Sequence, residues 1–74
     1  MRLRKIFARN LRRLREAAGL SQEDLAAAAD IDRTYVSALE RERYSPSLDM
    51  LERLAVALCV TPQMLLDMAS VECE

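Results

Sequence analysis

Histidine and tryptophan are absent from the 74 residues, and there are only one glycine, two prolines, two cysteines and three aromatic side chains. Each shortage excludes something. Cys59 and Cys73 form no CxxC pair, and without histidine they cannot complete the four ligands of a structural zinc site. The missing histidine also removes the commonest general base, and no Gly-rich phosphate loop or nucleophile paired with a base replaces it. An enzyme is the least supported class, and no cofactor, metal or small-molecule ligand is expected. Turn-rich β folds consume glycine and aromatics, so their scarcity predicts an all-α chain with short connections. No apolar run approaches the ~20 residues of a membrane span, and the Arg-rich start lacks the apolar stretch of a secretory signal. The expectation is a soluble cytoplasmic protein with two free thiols.

What is present fits one small domain over residues 1–74, because single cores occupy chains of roughly 50 to 200 residues. A hydrophobic content of 51% is globular. Eleven basic against twelve acidic side chains leave a net charge of −1, which at face value disfavours a polyanion partner. The distribution says otherwise. Residues 1–15 hold seven basic side chains (Arg2, Arg4, Lys5, Arg9, Arg12, Arg13, Arg15) and no acid, leaving four basic against twelve acidic afterwards. Asp49, Glu52, Asp67, Glu72 and Glu74 belong to the acidic remainder.

Apolar spacing predicts five helices. Leu3, Phe7, Leu11, Leu14 and Ala18 make the first stripe, which Gly19 ends as a left-handed cap. Ser21 with Asp24 three residues on is a capping-box start for a short second helix through the run Ala26–Ala29. Asp30, Ile31 and Asp32 supply a turn, a buried anchor and an N-cap. A third helix from Arg33 to about Arg41 turns Val36 and Leu39 inward, leaving Arg33, Thr34, Ser37 and Ala38 outward. Ser47 caps a fourth helix striped by Leu48, Leu51, Leu54, Ala55 and Leu58. Thr61 and Pro62 start a fifth over Gln63 to about Ala69, with frayed residues at 70–74.

The segment of about 21–41 has the layout of a helix-turn-helix: small Ala26 where two helices touch, a tight turn at Asp30, and buried Ile31, Val36 and Leu39. On the stretches LRRLREAAGLSQEDLA, IDRTYVSALE and SPSLDMLERLAVAL, the chain resembles the phage repressor and Cro type (xenobiotic-response-element) family of DNA-binding proteins. Its RTYVS run is most similar to the controller proteins of restriction-modification systems. The resemblance implies a lambda-repressor-like fold whose third helix enters the DNA major groove.

On that basis Arg33 donates to guanine, and Thr34 and Ser37 reach base edges or phosphate, with ordinary polar surface as their other reading. Ala38 permits close approach. Gln22 matches the family's phosphate-clamping glutamine, and Arg43 and Tyr44 the backbone contacts after the recognition helix. Tyr35 either reaches the backbone or covers the core edge. Arg12, with Arg9 and Arg13, flanks the phosphates, while Arg15 and Glu40 match a structural salt bridge and read no base. Three usual glycine positions carry Asp30, Glu42 and Cys59 instead. Glu42 and Cys59 either take ordinary φ by extending a helix, or each costs about 1 kcal/mol of strain.

One helix reads too few base pairs for useful specificity, so a homodimer on a pseudo-palindrome is expected, with half-sites roughly 34 Å apart. Its interface is placed at Cys59, Val60, Met64, Met68 and Val71; completion of the monomer core is the other reading of these side chains. The leading expectation is a stand-alone, autoregulated transcriptional regulator that binds double-stranded DNA in the nucleoid. The alternative is an antitoxin-type component on the same fold that neutralises a partner protein.

Overall fold

The computed structural model describes residues 3–68, folded into five helices: α1 (Leu3–Ala17), α2 (Gln22–Ala29), α3 (Arg33–Glu40), α4 (Leu48–Leu58) and α5 (Pro62–Leu65). The all-helical architecture expected from the glycine and aromatic shortage is what forms. Phe7 and Leu11 from α1, Leu25 from α2, Val36 and Leu39 from α3, Leu54 from α4 and Leu65 from α5 meet in one core, each almost wholly shielded from water. At ~25 cal/mol per Å² of apolar surface, a fully buried side chain of this size contributes about 1.5–3 kcal/mol. Helix α2 is short and alanine-rich, and besides Leu25 it buries only the small side chains Ala26 and Ala29. The small side chains at those two positions let α2 pack closely on its neighbours α3 and α4.

Polar side chains fix where the helices begin. Ser21 Oγ accepts from Asp24 N–H at 3.0 Å while Asp24 accepts from Ser21 N–H at 3.1 Å, the reciprocal box its spacing predicts. Asp32 Oδ1 accepts from Thr34 N–H at 3.0 Å, and Ser47 Oγ from Met50 N–H at 3.1 Å. Thr61 precedes the first-turn proline of α5 but makes no side-chain cap bond.

Four helices end in the same way. Gly19, Asp30, Glu42 and Cys59 all take positive φ, at 74°, 60°, 65° and 59°. At each, the left-handed residue donates three residues back and its successor donates five back: Leu20 to Arg15 O, Ile31 to Ala26 O, Arg43 to Ala38 O and Val60 to Ala55 O, at 3.1, 2.9, 2.9 and 3.0 Å. These are Schellman closures. Of the two conformations open to Glu42 and Cys59, the strained one is adopted.

The structure corrects four details of the helices, the first being Leu3, which is 48% exposed at the start of α1. Leu48, expected in the core, is 83% exposed because it occupies the first turn of α4 ahead of the core-facing Leu51. Ala18 lies beyond the end of α1 and is exposed. Helix α5 stops at Leu65, well short of Ala69. Its last carbonyl is engaged elsewhere: the Asn10 amide, 1% exposed, donates 3.0 Å bonds to Leu65 O and, past the helix end, to Asp67 O. The expected fraying at 70–74, Val71 and the free thiol of Cys73 lie outside the described residues.

Candidate nucleic-acid interface

Helices α2 and α3, with Asp30, Ile31 and Asp32 between them, place two N-termini near one surface. Gln22 is the first residue of α2 and Arg33 the first of α3. First-turn amides have no intrahelical acceptor, and the helix dipole adds partial positive charge, so both ends favour anions. A shallow depression lined by Arg15, Ser21, Gln22, Glu23 and Arg33 connects them to the end of α1. Its charge is mixed: Glu23 faces the same depression and opposes the cations.

A charged anchor lies beneath this surface. Arg15 Nε donates to Glu40 Oε2 at 2.7 Å and Arg15 Nη2 to Glu40 Oε1 at 3.2 Å, a two-pronged pair between α1 and the end of α3. Arg15 Nη1 also donates to Leu20 O at 2.8 Å, and Gln22 Nε2 donates to Glu40 Oε1 at 3.0 Å. Burial disfavours a charged guanidinium, but the bonds to Glu40 outweigh it and hold the Arg15 pKa above its ordinary value. The expected Arg15–Glu40 bridge is therefore present. Sequence reading missed its third member, Gln22, whose amide is fixed in orientation by the same carboxylate. Glutamine is uncharged, and nothing in its spacing signals such a contact.

On α3 the expected outward residues divide. Arg33 and Thr34 are exposed and Ser37 is half-buried. Ala38 is a correction: only 8% of it is exposed, so it lies on the inner flank of α3 and offers a ligand almost no surface. Four residues after exposed Thr34 and three after half-buried Tyr35, it lies between those two on the helix surface, so the buried arc of α3 extends beyond Tyr35. Tyr35 is half-buried against the core, and its ring lies 6.1 Å from that of Tyr44 at an interplanar angle of 53°. Tyr44 remains 57% exposed. Tilted aromatic pairs at this separation attract each other, so the loop after α3 is tied to the helix it follows. Arg43, aimed by the left-handed Glu42, is exposed on the same loop. Arg4 Nε donates to Ser45 Oγ at 2.9 Å, bracing the loop against α1.

Arg12 is exposed on α1 and pairs with Glu16 at 3.4 Å. Of the residues assigned to a dimer interface, Cys59 is exposed, Val60 is half-buried against the core, and Met64 and Met68 are each 42% exposed. No group of three or more potential metal ligands occurs among the described residues, nor is any of their helices long and apolar enough to cross a membrane.

Comparison with known proteins agrees with this geometry. The helix-turn-helix family model matches residues 11–65. The chain is 39% identical to the control protein C.BamHI of Bacillus amyloliquefaciens over 74 residues, covering 97% of this chain and 91% of that one. It is 47% identical over 64 residues to a hypothetical transcription factor of Neisseria meningitidis, covering 86% of this chain but 60% of the longer relative. The solved restriction-modification controller protein C.AhdI of Aeromonas hydrophila superposes with a TM-score of 0.81 at 44% identity, covering 84% of this chain and 94% of that one. Regulators of this kind bind double-stranded DNA and catalyse no reaction. The chain belongs to the helix-turn-helix family of DNA-binding transcriptional regulators.

Proposed function

We propose that the protein is a transcriptional regulator that binds a pseudo-palindromic operator as a homodimer and controls its own promoter. The observation that carries this is the exposed first turn of α3, with Arg33 and Thr34 outward, on a helix whose far end is pinned by the buried Arg15–Glu40–Gln22 cluster. Arg33 is the base reader, donating to guanine O6 and N7, with Thr34 and Ser37 beside it. Gln22, Arg12, Arg43 and Tyr44 hold the backbone, and Tyr35 positions Tyr44 more than it reads DNA itself. Exposed Met64 and Met68, with Cys59 and the edge of Val60, form the two-fold contact. Leu48 adds further exposed apolar surface. Concentration-dependent dimerisation supplies the control. The setting is the cytoplasm, on the nucleoid.

The test is a mobility-shift assay on the DNA upstream of the protein's own gene at two salt concentrations, for wild type and Arg33→Ala, with sedimentation of the free protein alongside. Sequence-selective, steeply salt-dependent binding by a dimer is expected, and Arg33→Ala should lose about 1–3 kcal/mol of discrimination at its base. Unchanged selectivity in that variant refutes the reading of α3. A monomer that binds single half-sites refutes the dimer.

A further inference from the structure

The solvent side of α1 is a strip of cations of which the operator reading above uses only Arg12. Lys5, Arg9, Arg12 and Glu16 recur at steps of four, three and four along one helical face, with Arg13 beside them. Lys5, Arg12 and Arg13 are exposed and Arg9 is half-buried. A surface depression is lined by Arg9, Arg12, Arg13 and Glu16, all of them charged. Four cations and a single acid share the strip. Glu16 is spent within it, 3.4 Å from Arg12 and 3.9 Å from Arg15.

We infer that this strip is a second polyanion track, which binds phosphates of duplex DNA outside the half-site read by α3. Three observations select that partner. Protein interfaces have an apolar or aromatic centre, and among the described residues every one that lines this depression is charged. A membrane surface would likewise require apolar side chains among the cations. The strip is also continuous with the candidate interface: Glu16 touches Arg15, and Arg15 lines the depression that holds Gln22 and Arg33. From Lys5 to Arg13 the helix rises about 12 Å. At one phosphate per ~3.4 Å of axis on each strand, that length matches about three phosphates of one strand. The strip carries affinity and no sequence information, because phosphate contacts position a protein without reading bases.

This rests on the operator reading above, and the experiment separates the two. A duplex selected by the protein from a random pool is prepared in two lengths, one trimmed to the selected core and one carrying about ten more base pairs on each side. The dependence of log Kobs on log[KCl] is measured for wild type, Lys5→Gln/Arg9→Gln/Arg13→Gln and Arg33→Ala. Each phosphate contact adds about 0.9 to the slope. Wild type should show a slope steeper by about 2 to 3 on the long duplex than on the trimmed one, and the triple variant should lose that excess. Equal slopes for wild type and the triple variant on both duplexes, or equal weakening on both, overturn the proposal. Circular dichroism checks the fold. If the triple variant melts early, Lys5→Gln/Arg13→Gln, which changes only exposed side chains, should still remove about 2 from the slope excess. Selection of no preferred duplex, or selection of the same one by Arg33→Ala, overturns the operator reading and this proposal with it.

Discussion

Replacing Glu40 by alanine should be far more damaging than its place near a surface suggests. The Glu40 side chain is 4% exposed and that of Arg15 is 11% exposed, so the pair is almost dry. Glu40 accepts three bonds, at 2.7 and 3.2 Å from Arg15 and 3.0 Å from Gln22. Removing one partner of a buried pair leaves the other charge uncompensated, at about 3–5 kcal/mol. The lower end applies, because Arg15 keeps the Leu20 carbonyl at 2.8 Å and lies close enough to the surface to recover some water. Total stability for a chain of this length is about 4–11 kcal/mol. A loss of about 3 kcal/mol therefore takes a large fraction of it, lowering Tm by about 12–24 °C at ~4–8 °C per kcal/mol. Urea and thermal melts followed by circular dichroism, at one fixed protein concentration so that dimerisation does not intrude, give the number directly. The companion variant Arg15→Met/Glu40→Leu removes both charges, and should return to within about 1 kcal/mol of wild type. If Glu40→Ala costs less than about 1 kcal/mol, or the double variant is no more stable than the single, the cluster does not pin α3 by charge and the reasoning fails.

Asp32 is held below its ordinary carboxylate pKa of 3.8, first by the backbone N–H of Thr34 and also by Arg33 beside it. A depressed folded pKa means stability present above the unfolded value and lost as pH falls through the folded one. Asp32→Asn keeps a good N-cap that does not titrate, so its urea midpoint should fall less than that of wild type between about pH 5 and pH 3. Parallel acid limbs would refute this. At Cys59 the left-handed φ of 59° makes Cys59→Gly more stable than Cys59→Ala by about 1 kcal/mol in paired denaturant melts. Equal stabilities would mean that the positive φ stores no strain.

Local chemistry made most of the scaffold legible in the sequence. The capping box at Ser21, the N-caps at Asp32 and Ser47, and the stripe of Phe7 and Leu11 depend on near neighbours along the chain, and each forms as its spacing implies. The Arg15–Glu40 pair came from resemblance, since no local rule joins residues 25 positions apart. Contacts made across the fold were illegible for that reason. The Asn10 amide spans 55 residues to reach Leu65 and takes the carbonyl that a longer α5 would use. Leu48 and Ala38 failed differently. Helical periodicity states which residues share a face, but the first turn of α4 projects past its neighbours and α3 buries a wider arc than Val36 and Leu39 mark out.

The four left-handed closures use one backbone device with two kinds of successor side chain. In a Schellman end, the residue after the left-handed position turns back over the helix, where an apolar side chain can cover the last turn. Leu20, Ile31 and Val60 take that role and pack on the core. The fourth is Arg43, which is exposed. Its backbone makes the same bond, at 2.9 Å to Ala38 O, but the charge keeps its side chain in solvent at the end of the helix that carries Arg33. The two side-chain classes thus distinguish ends that close the core from the end whose side chain stays in solvent. The same geometry explains why positive φ survives without glycine. Each successor is fixed by its own hydrogen bond, and three of the four also by buried apolar contact, so relaxing Asp30, Glu42 or Cys59 to ordinary φ would break that bond. A strain of about 1–2 kcal/mol at Glu42 or Cys59 is comparable with the bond and packing that would be lost, and less at Asp30, whose short polar side chain tolerates the region.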